Sequence, residues 1–329
     1  MGVEDLVRWE RATPPAEIEM NVGIRDVDNA VLSPFAVRAE GRRRKLRGAV
    51  YTAAGTLVEE SLRLSGPGGL VVEDNPRSLP PEDLGRDMVH LRGTWLYGGH
   101  WMPEFGHFIT ETVTRLWPDP RPVAGVVYHR FVGTEAIKPW QTTLITRAGW
   151  GAAQTLVNTG WARVDHLVVP SRTVFLSSMV HPTAVRQWER MSPNAHTAGE
   201  PVFLSRSRLT SDPRRTRTDP LLDREFAARG FRVFHPQEHP VDEQIRVASQ
   251  APVLAGAVGS ALHLSAFASP DCRTIELGDI RTRDRPHRPQ RAIDAACGRL
   301  TAHVPYYEQD GARDISSTSH ALDAIMKSS

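Results

Sequence analysis

The sequence predicts an α/β protein built on parallel β-sheet. Two observations carry this. From residue 91 onward, short apolar runs of strand character alternate with segments of helical spacing. In the second half the alternation reads β-α-β-α-β-α-β and includes Pro252–Phe267, PVLAGAVGSALHLSAF. There an apolar run meets a turn with Gly256 and Gly259, and a small-residue helical segment begins at Ser260. This order implies a parallel sheet with helices on both faces and ligands beyond the C-terminal strand ends.

Each element has a local reason. Residues 1–90 mix short alternating runs, such as Ala49–Thr52 and Gly69–Val72, with Pro and Gly breaks, and read as strands and loops. Leu91–Tyr97 reads as a strand. Glu104–Trp117 reads as a helix, since Phe105, Phe108, Ile109 and Leu116 fall on one face with Thr112. Pro122–Tyr128 is a strand, Glu135–Ala148 a helix ending at Gly149, and Val164–Val169 a strand stopped by Pro170. Residues 171–200, with Pro182, Pro193 and a polar Asn194–Glu200 run, read as a connection between domains.

The second half follows as strand Val202–Leu204, then a helix with Asp219 as N-cap, Pro220 at its first position and Gly230 closing it. Strand Phe231–Phe234, helix Val241–Ser249, strand Val253–Leu254, helix Ala261–Ala268 and strand Arg273–Leu277 complete the set.

Composition narrows the class. A chain of 329 residues favours two domains, and 40% hydrophobic residues with 25 Gly suffice for a core without metal or disulfides. Cys272 and Cys297 have no CxxC spacing, so neither a zinc site nor a disulfide framework is expected, and a reducing cytoplasm fits. The N-terminal stretch lacks a signal-peptide core, and no run of 18 apolar residues occurs. A net charge of +2 names no partner and gives no reason to expect nucleic acid. The basic runs Arg42–Lys45 and Arg283–Arg291 read as solvated loops, with at most peripheral attachment to an anionic inner membrane face.

Three places could carry chemistry. The glycine turn AGAVGSA lets backbone approach a ligand, and the N–H groups at Ser260, Ala261 and Leu262 would favour a phosphate. It matches neither the dinucleotide fingerprint nor the P-loop. Tight strand–helix packing is the alternative reading of the same glycines. Ser205-Arg206 follows strand Val202–Leu204 and reaches the same sheet edge, where an Arg fork suits phosphate oxygens. Arg208, Arg214, Arg215 and Arg217 follow in a loop and read singly as surface cations. His107 and Glu111 lie four residues apart on one helix face. A carboxylate beside an imidazole raises its basicity, which suits a general base. A partly buried histidine with a charge partner is the alternative, and no third ligand supports a metal site. His263, next to the glycine turn, either contacts a ligand or fills space.

These elements occur in an order that resembles glycosyltransferase family 61. The matching text is Gly106–Glu111 followed by Arg115-Leu116-Trp117, then Leu204-Ser205-Arg206, Gly230–Val233, Pro236-Gln237-Glu238, Glu243-Gln244-Ile245, Gly259–His263 and Ile275-Glu276-Leu277. It spans about residues 95–280. Val258 and Leu264 stand where the family often has His and Asn, and Arg217-Thr218-Asp219 blurs a further motif.

The resemblance implies a GT-B-like α/β fold, two Rossmann-like domains facing a central cleft. It divides the chain into residues 1–175 on the acceptor side, 176–200 as the inter-domain connection and 201–300 as the nucleotide-sugar-binding domain. Residues 301–329 are expected to pack back on the N-terminal domain. It implies an inverting transferase without an obligatory metal or other cofactor, moving a sugar from a nucleotide-sugar donor to the hydroxyl of a glycan, lipid-linked or small-molecule acceptor. His107 and Glu111 would be catalytic. Ser205, Arg206, Glu243, Gln244, Gly259, Ser260, Ala261, Leu262 and His263 would bind donor, with Glu243 and Gln244 on the ribose or base or simply capping their helix. The expected setting is a bacterial-type cytoplasm. The rival readings are another nucleotide-sugar-processing enzyme and a non-catalytic nucleotide- or carbohydrate-binding module.

Overall fold

The computed structural model describes residues 7–40, 43–63, 71–131, 136–175, 177–209 and 219–328. The expectations for Arg42, Gly69, Glu135, Arg214, Arg215 and Arg217 lie outside the described residues. The protein is mixed α/β and divides into two units: Glu17–Met191, and Ser192–Ser329 joined by Met1–Ala16.

The N-terminal unit centres on a six-stranded sheet of β1 (Ile24–Leu32), β2 (Val50–Tyr51), β3 (Val89–Trp101), β4 (Gly125–Arg130), β5 (Gln154–Asn158) and β6 (Ala162–Pro170). Their spatial order is β2-β1-β6-β3-β4-β5. The run β6-β3-β4-β5 is parallel, while β1 and β2 pair antiparallel at one side. The sheet is therefore mixed. Val27, Leu32, Trp95, Tyr97, Val127, Val164 and Leu167 form its core.

The C-terminal unit has five parallel strands: β7 (Val202–Leu204), β8 (Arg232–Phe234), β9 (Val253–Ala257), β10 (Arg273–Leu277) and β11 (Leu300–Val304). Their order is β8-β7-β9-β10-β11, with Glu10–Arg11 pairing antiparallel on β11. The winding direction reverses between β7 and β9. Open α/β sheets bind ligands at such a reversal, beyond the strand C-termini. Helices Asp219–Ala228 and Ile315–Lys327 cover one face, burying Leu222, Phe226, Ala321, Leu322 and Ile325 on Phe203, Val253, Ala255 and Ile275.

Several expectations need correction. Residues 301–329 belong to the C-terminal unit, β11 and helix Ile315–Lys327 among them, as does the chain start. The connection 176–200 contains helix Pro182–Met191, which buries Ala184, Trp188 and Met191. Pro182 begins that helix, where a missing N–H costs nothing. The basic segment around Arg283–Arg291 runs into helix Arg288–Ala296, which buries Ala292, Ile293 and Asp294.

Candidate active site

In the N-terminal unit, the segment after β3 winds in three ways. Phe105–His107 forms an α-turn, Phe108–Thr112 a π-turn and Val113–Arg115 a 3₁₀ turn. Phe108, Ile109, Val113 and Leu116 are fully buried, which fixes this segment against the unit's core. The Ile109 carbonyl of the π-turn accepts from the Trp188 indole at 3.1 Å. His107 and Glu111 share one face, as their spacing predicts.

His107 Nδ1 lies 2.5 Å from Glu111 Oε1. Arg63 donates to both Glu111 oxygens, from Nε at 2.6 Å and Nη2 at 2.9 Å. The Arg63 and Glu111 side chains are only 11% and 14% exposed, against 38% for His107. Burial alone would raise the Glu111 pKa, but the Arg63 charge and the His107 hydrogen bond outweigh it and hold the carboxyl well below its usual range. An ionised carboxylate only accepts, so His107 Nδ1 carries the proton and Nε2 has a lone pair. Burial lowers the His107 pKa, and the Glu111 hydrogen bond and charge more than reverse this, leaving it above 6.5. The ionised Glu111 can therefore orient the His107 ring.

Arg115 of the Arg-Leu pair is fully enclosed. It donates to the carbonyls of Glu60 (2.5 Å), Pro170 (2.8 Å) and Leu62 (3.2 Å). It therefore anchors the strap that presents Arg63. Sequence reading missed Arg63 because its partner lies 48 residues away and no local pattern marks it.

In the C-terminal unit, Leu204 pairs with Gly256, so the turns that follow β7 and β9 are adjacent at the point of reversal. Arg206 and Ser260 share that edge, as expected. Arg206 is half-buried, and its Nε lies 3.4 Å from Asp219 Oδ1. Ser205 offers no free hydroxyl. It is buried, donates to Ser207 Oγ and accepts from the Ser207 N–H, both at 3.1 Å, and so shapes the turn that carries Arg206.

The glycine turn also differs in detail. Gly256 lies inside β9, and a Cβ there would meet Leu204 and Leu262 at an ordinary 3.5 Å. Gly259, at φ 152°, is the position that needs glycine. The segment Ser260–Phe267 is a 3₁₀ helix, not an α-helix, and the Leu262 N–H is spent on the Gly259 carbonyl at 3.2 Å. Among the described residues, the half-exposed Ser260 and Ala261 N–H groups meet no acceptor and can take an anion. Val258 and Leu264, the departures from the family pattern, are buried apolar side chains.

The remaining candidates are engaged elsewhere. His263 is buried, with Nδ1 2.9 Å from Gln290 Oε1; Gln290 in turn donates to Ser265 (2.8 Å) and Asp294 (3.1 Å). Glu243 pairs with Arg246 at 2.6 Å on the surface of its helix. Gln244 donates to the carbonyls of Pro236 (2.8 Å) and His239 (2.9 Å), pinning the turn before its helix. A groove of about 530 Å³ opens beside β8 instead, lined by Arg208, Arg224 and Arg232, by the carboxylates Asp223 and Glu238, and by Phe234, His235 and His239. The buried His235 Nδ1 has no hydrogen-bond partner among the described residues. No group of three or more metal-ligating side chains occurs among the described residues, and no described helix is long and apolar enough to cross a membrane.

A sequence model of the family described as Glycosyltransferase 61 matches residues 105–275, just over half of the 329-residue chain. No match is found among curated proteins.

Proposed function

Because the chain belongs to glycosyltransferase family 61, we propose that it is an inverting, metal-independent enzyme that moves a sugar from a nucleotide-sugar donor to a hydroxyl acceptor. The observation that carries this reading is the Arg63–Glu111–His107 relay. His107 Nε2 takes the proton from the acceptor hydroxyl, whose oxygen attacks the anomeric carbon as the bond to the diphosphate breaks on the opposite side. Glu111 stays ionised, fixes the tautomer and stabilises the imidazolium; Arg63 keeps Glu111 ionised.

The departing diphosphate gains negative charge as the bond breaks. In this reading Arg206 and the Ser260 and Ala261 N–H groups meet it, a role that preorganised donors fill at little reorganisation cost. Their placement at the β7/β9 reversal supports the assignment. The groove lined by Arg232, Phe234 and His239 would take the nucleoside. The C-terminal unit then carries the donor and the N-terminal unit the base, the division of labour of a GT-B enzyme.

Thermal-shift measurement of the full chain against a panel of nucleotide sugars tests this. One or more should raise the melting temperature by mass action, by about 2.7 kcal/mol of stability at a hundredfold excess over Kd. No response to any member of the panel would overturn the transferase reading.

A further inference from the structure

Next to the relay lies a cavity of about 30 Å³, lined by Leu62, Arg63, His100, Glu111, Arg115 and Arg172. A water needs about 10–15 Å³ on this measure, so the space admits two or three water-sized positions, the span of a small oxyanion. Its charge is unbalanced. Three guanidinium groups line it against the single carboxylate of Glu111, which Arg63 already holds. Burial pushes the pKa of neighbouring Glu73 up to about 7, so its compensation is partial at neutral pH. Burial and the neighbouring cations keep His100 neutral.

Arg172 is the informative member. Among the described residues its one hydrogen-bond partner is the Leu62 carbonyl, at 3.1 Å, a carbonyl that Arg115 also uses. No described carboxylate lies within salt-bridge distance of it. Its guanidinium lies over the Phe175 ring at 4.7 Å, which orients the fork without neutralising it. Burial and the Arg115 charge push its pKa down to about 10. Glu73, Glu60 and Glu59 act on it only from beyond salt-bridge distance, and a half-buried guanidinium so weakly compensated is costly unless an anion completes it.

We propose that this cavity takes an anionic group, a carboxylate or a phosphate monoester, on the sugar acceptor, with Arg172 as its principal ligand. The assignment of that group to the acceptor rests on the transferase reading; the anion site itself does not. Arg63 and Arg115 supply further positive field. The group would anchor the acceptor beside the His107–Glu111 pair and so make the enzyme selective for acidic acceptors.

The test uses the full chain with isotope-labelled histidines, carried in an Arg206→Ala background so that anion binding at the other sheet does not contribute. Inorganic phosphate and acetate are titrated separately while the His100 and His107 ring signals are followed by NMR. A saturable shift is expected, and its larger response to one probe distinguishes phosphate from carboxylate. Arg172→Gln should weaken that binding about tenfold or more, as expected for a lost charge-assisted fork. Arg172→Met carries the same expectation should the first variant fail to fold. No saturable shift with either probe, or unchanged affinity in the neutral variants, overturns the proposal. Since the readout is binding, it stands or falls separately from turnover by His107.

Discussion

Replacing Glu111 by Gln preserves shape and removes one charge, and the structure sets the consequences. Glu111 accepts two hydrogen bonds from Arg63, at 2.6 and 2.9 Å, and one from His107 at 2.5 Å. Both charged side chains are well enclosed, so the substitution strands the Arg63 guanidinium. Breaking a buried pair from one side costs about 3–5 kcal/mol. A Gln oxygen still accepts one bond, which puts the loss near about 3 kcal/mol, or about 6–12 °C for a unit of this size.

The kinetic effect has a definite sign. In the wild type, activity should fall as the pH drops through the His107 pKa, which Glu111 holds above 6.5. Without the carboxylate that pKa falls, so the acid limb of kcat/KM should move to lower pH. The rate at the optimum should fall by about 10²–10⁴, because the imidazole loses the group that selects its tautomer. The assay is a pH profile of kcat/KM on the donor identified by thermal shift. A Glu111→Gln enzyme with the wild-type rate and an unmoved acid limb would refute the relay.

Four further outcomes are expected. Arg206→Ala should lower kcat by about 10²–10³ through loss of leaving-group stabilisation, checked by steady-state kinetics. Gly259→Ala should cost about 1 kcal/mol or more, because its φ of 152° disfavours a side chain, whereas Gly256→Ala should be nearly neutral; melting temperatures separate the two. His263→Ala should destabilise by about 1–3 kcal/mol through the Gln290 network while leaving the donor KM within about twofold. Acid should weaken the N-terminal unit. The Glu111 pKa is depressed in the folded state, so its stability contribution is present above 4.5 and is lost as pH falls below that, visible as a steepening of acid unfolding that Glu111→Gln removes.

The sequence exposes four of the five parallel C-terminal strands, β7 to β10, as short runs of strand character, whereas β11, with Thr301 and His303 among its residues, is less plainly marked. It also exposes the His107–Glu111 pair, because i,i+4 spacing alone places both on one face. Other features have no local signature. The π-turn at Phe108–Thr112 is set by the Val113 N–H donating to the Phe108 carbonyl, five residues back, which no local pattern announces. Arg63 and Arg172 become meaningful only when topology brings residues 60–63 and 170–172 to Arg115. Gly256 and Gly259 look alike in sequence, yet one is strand interior and the other a turn at positive φ. His263 stands beside the turn, but its partner Gln290 lies 27 residues away in a helix masked by its basic flanks.

The central claim is that His107 is the base, and the most direct measurement compares binding with turnover in His107→Asn. The donor Kd, measured by calorimetry, should stay within about twofold of wild type, while turnover to acceptor falls by about 10²-fold or more. A His107→Asn enzyme that still transfers sugar at the wild-type rate would contradict the account.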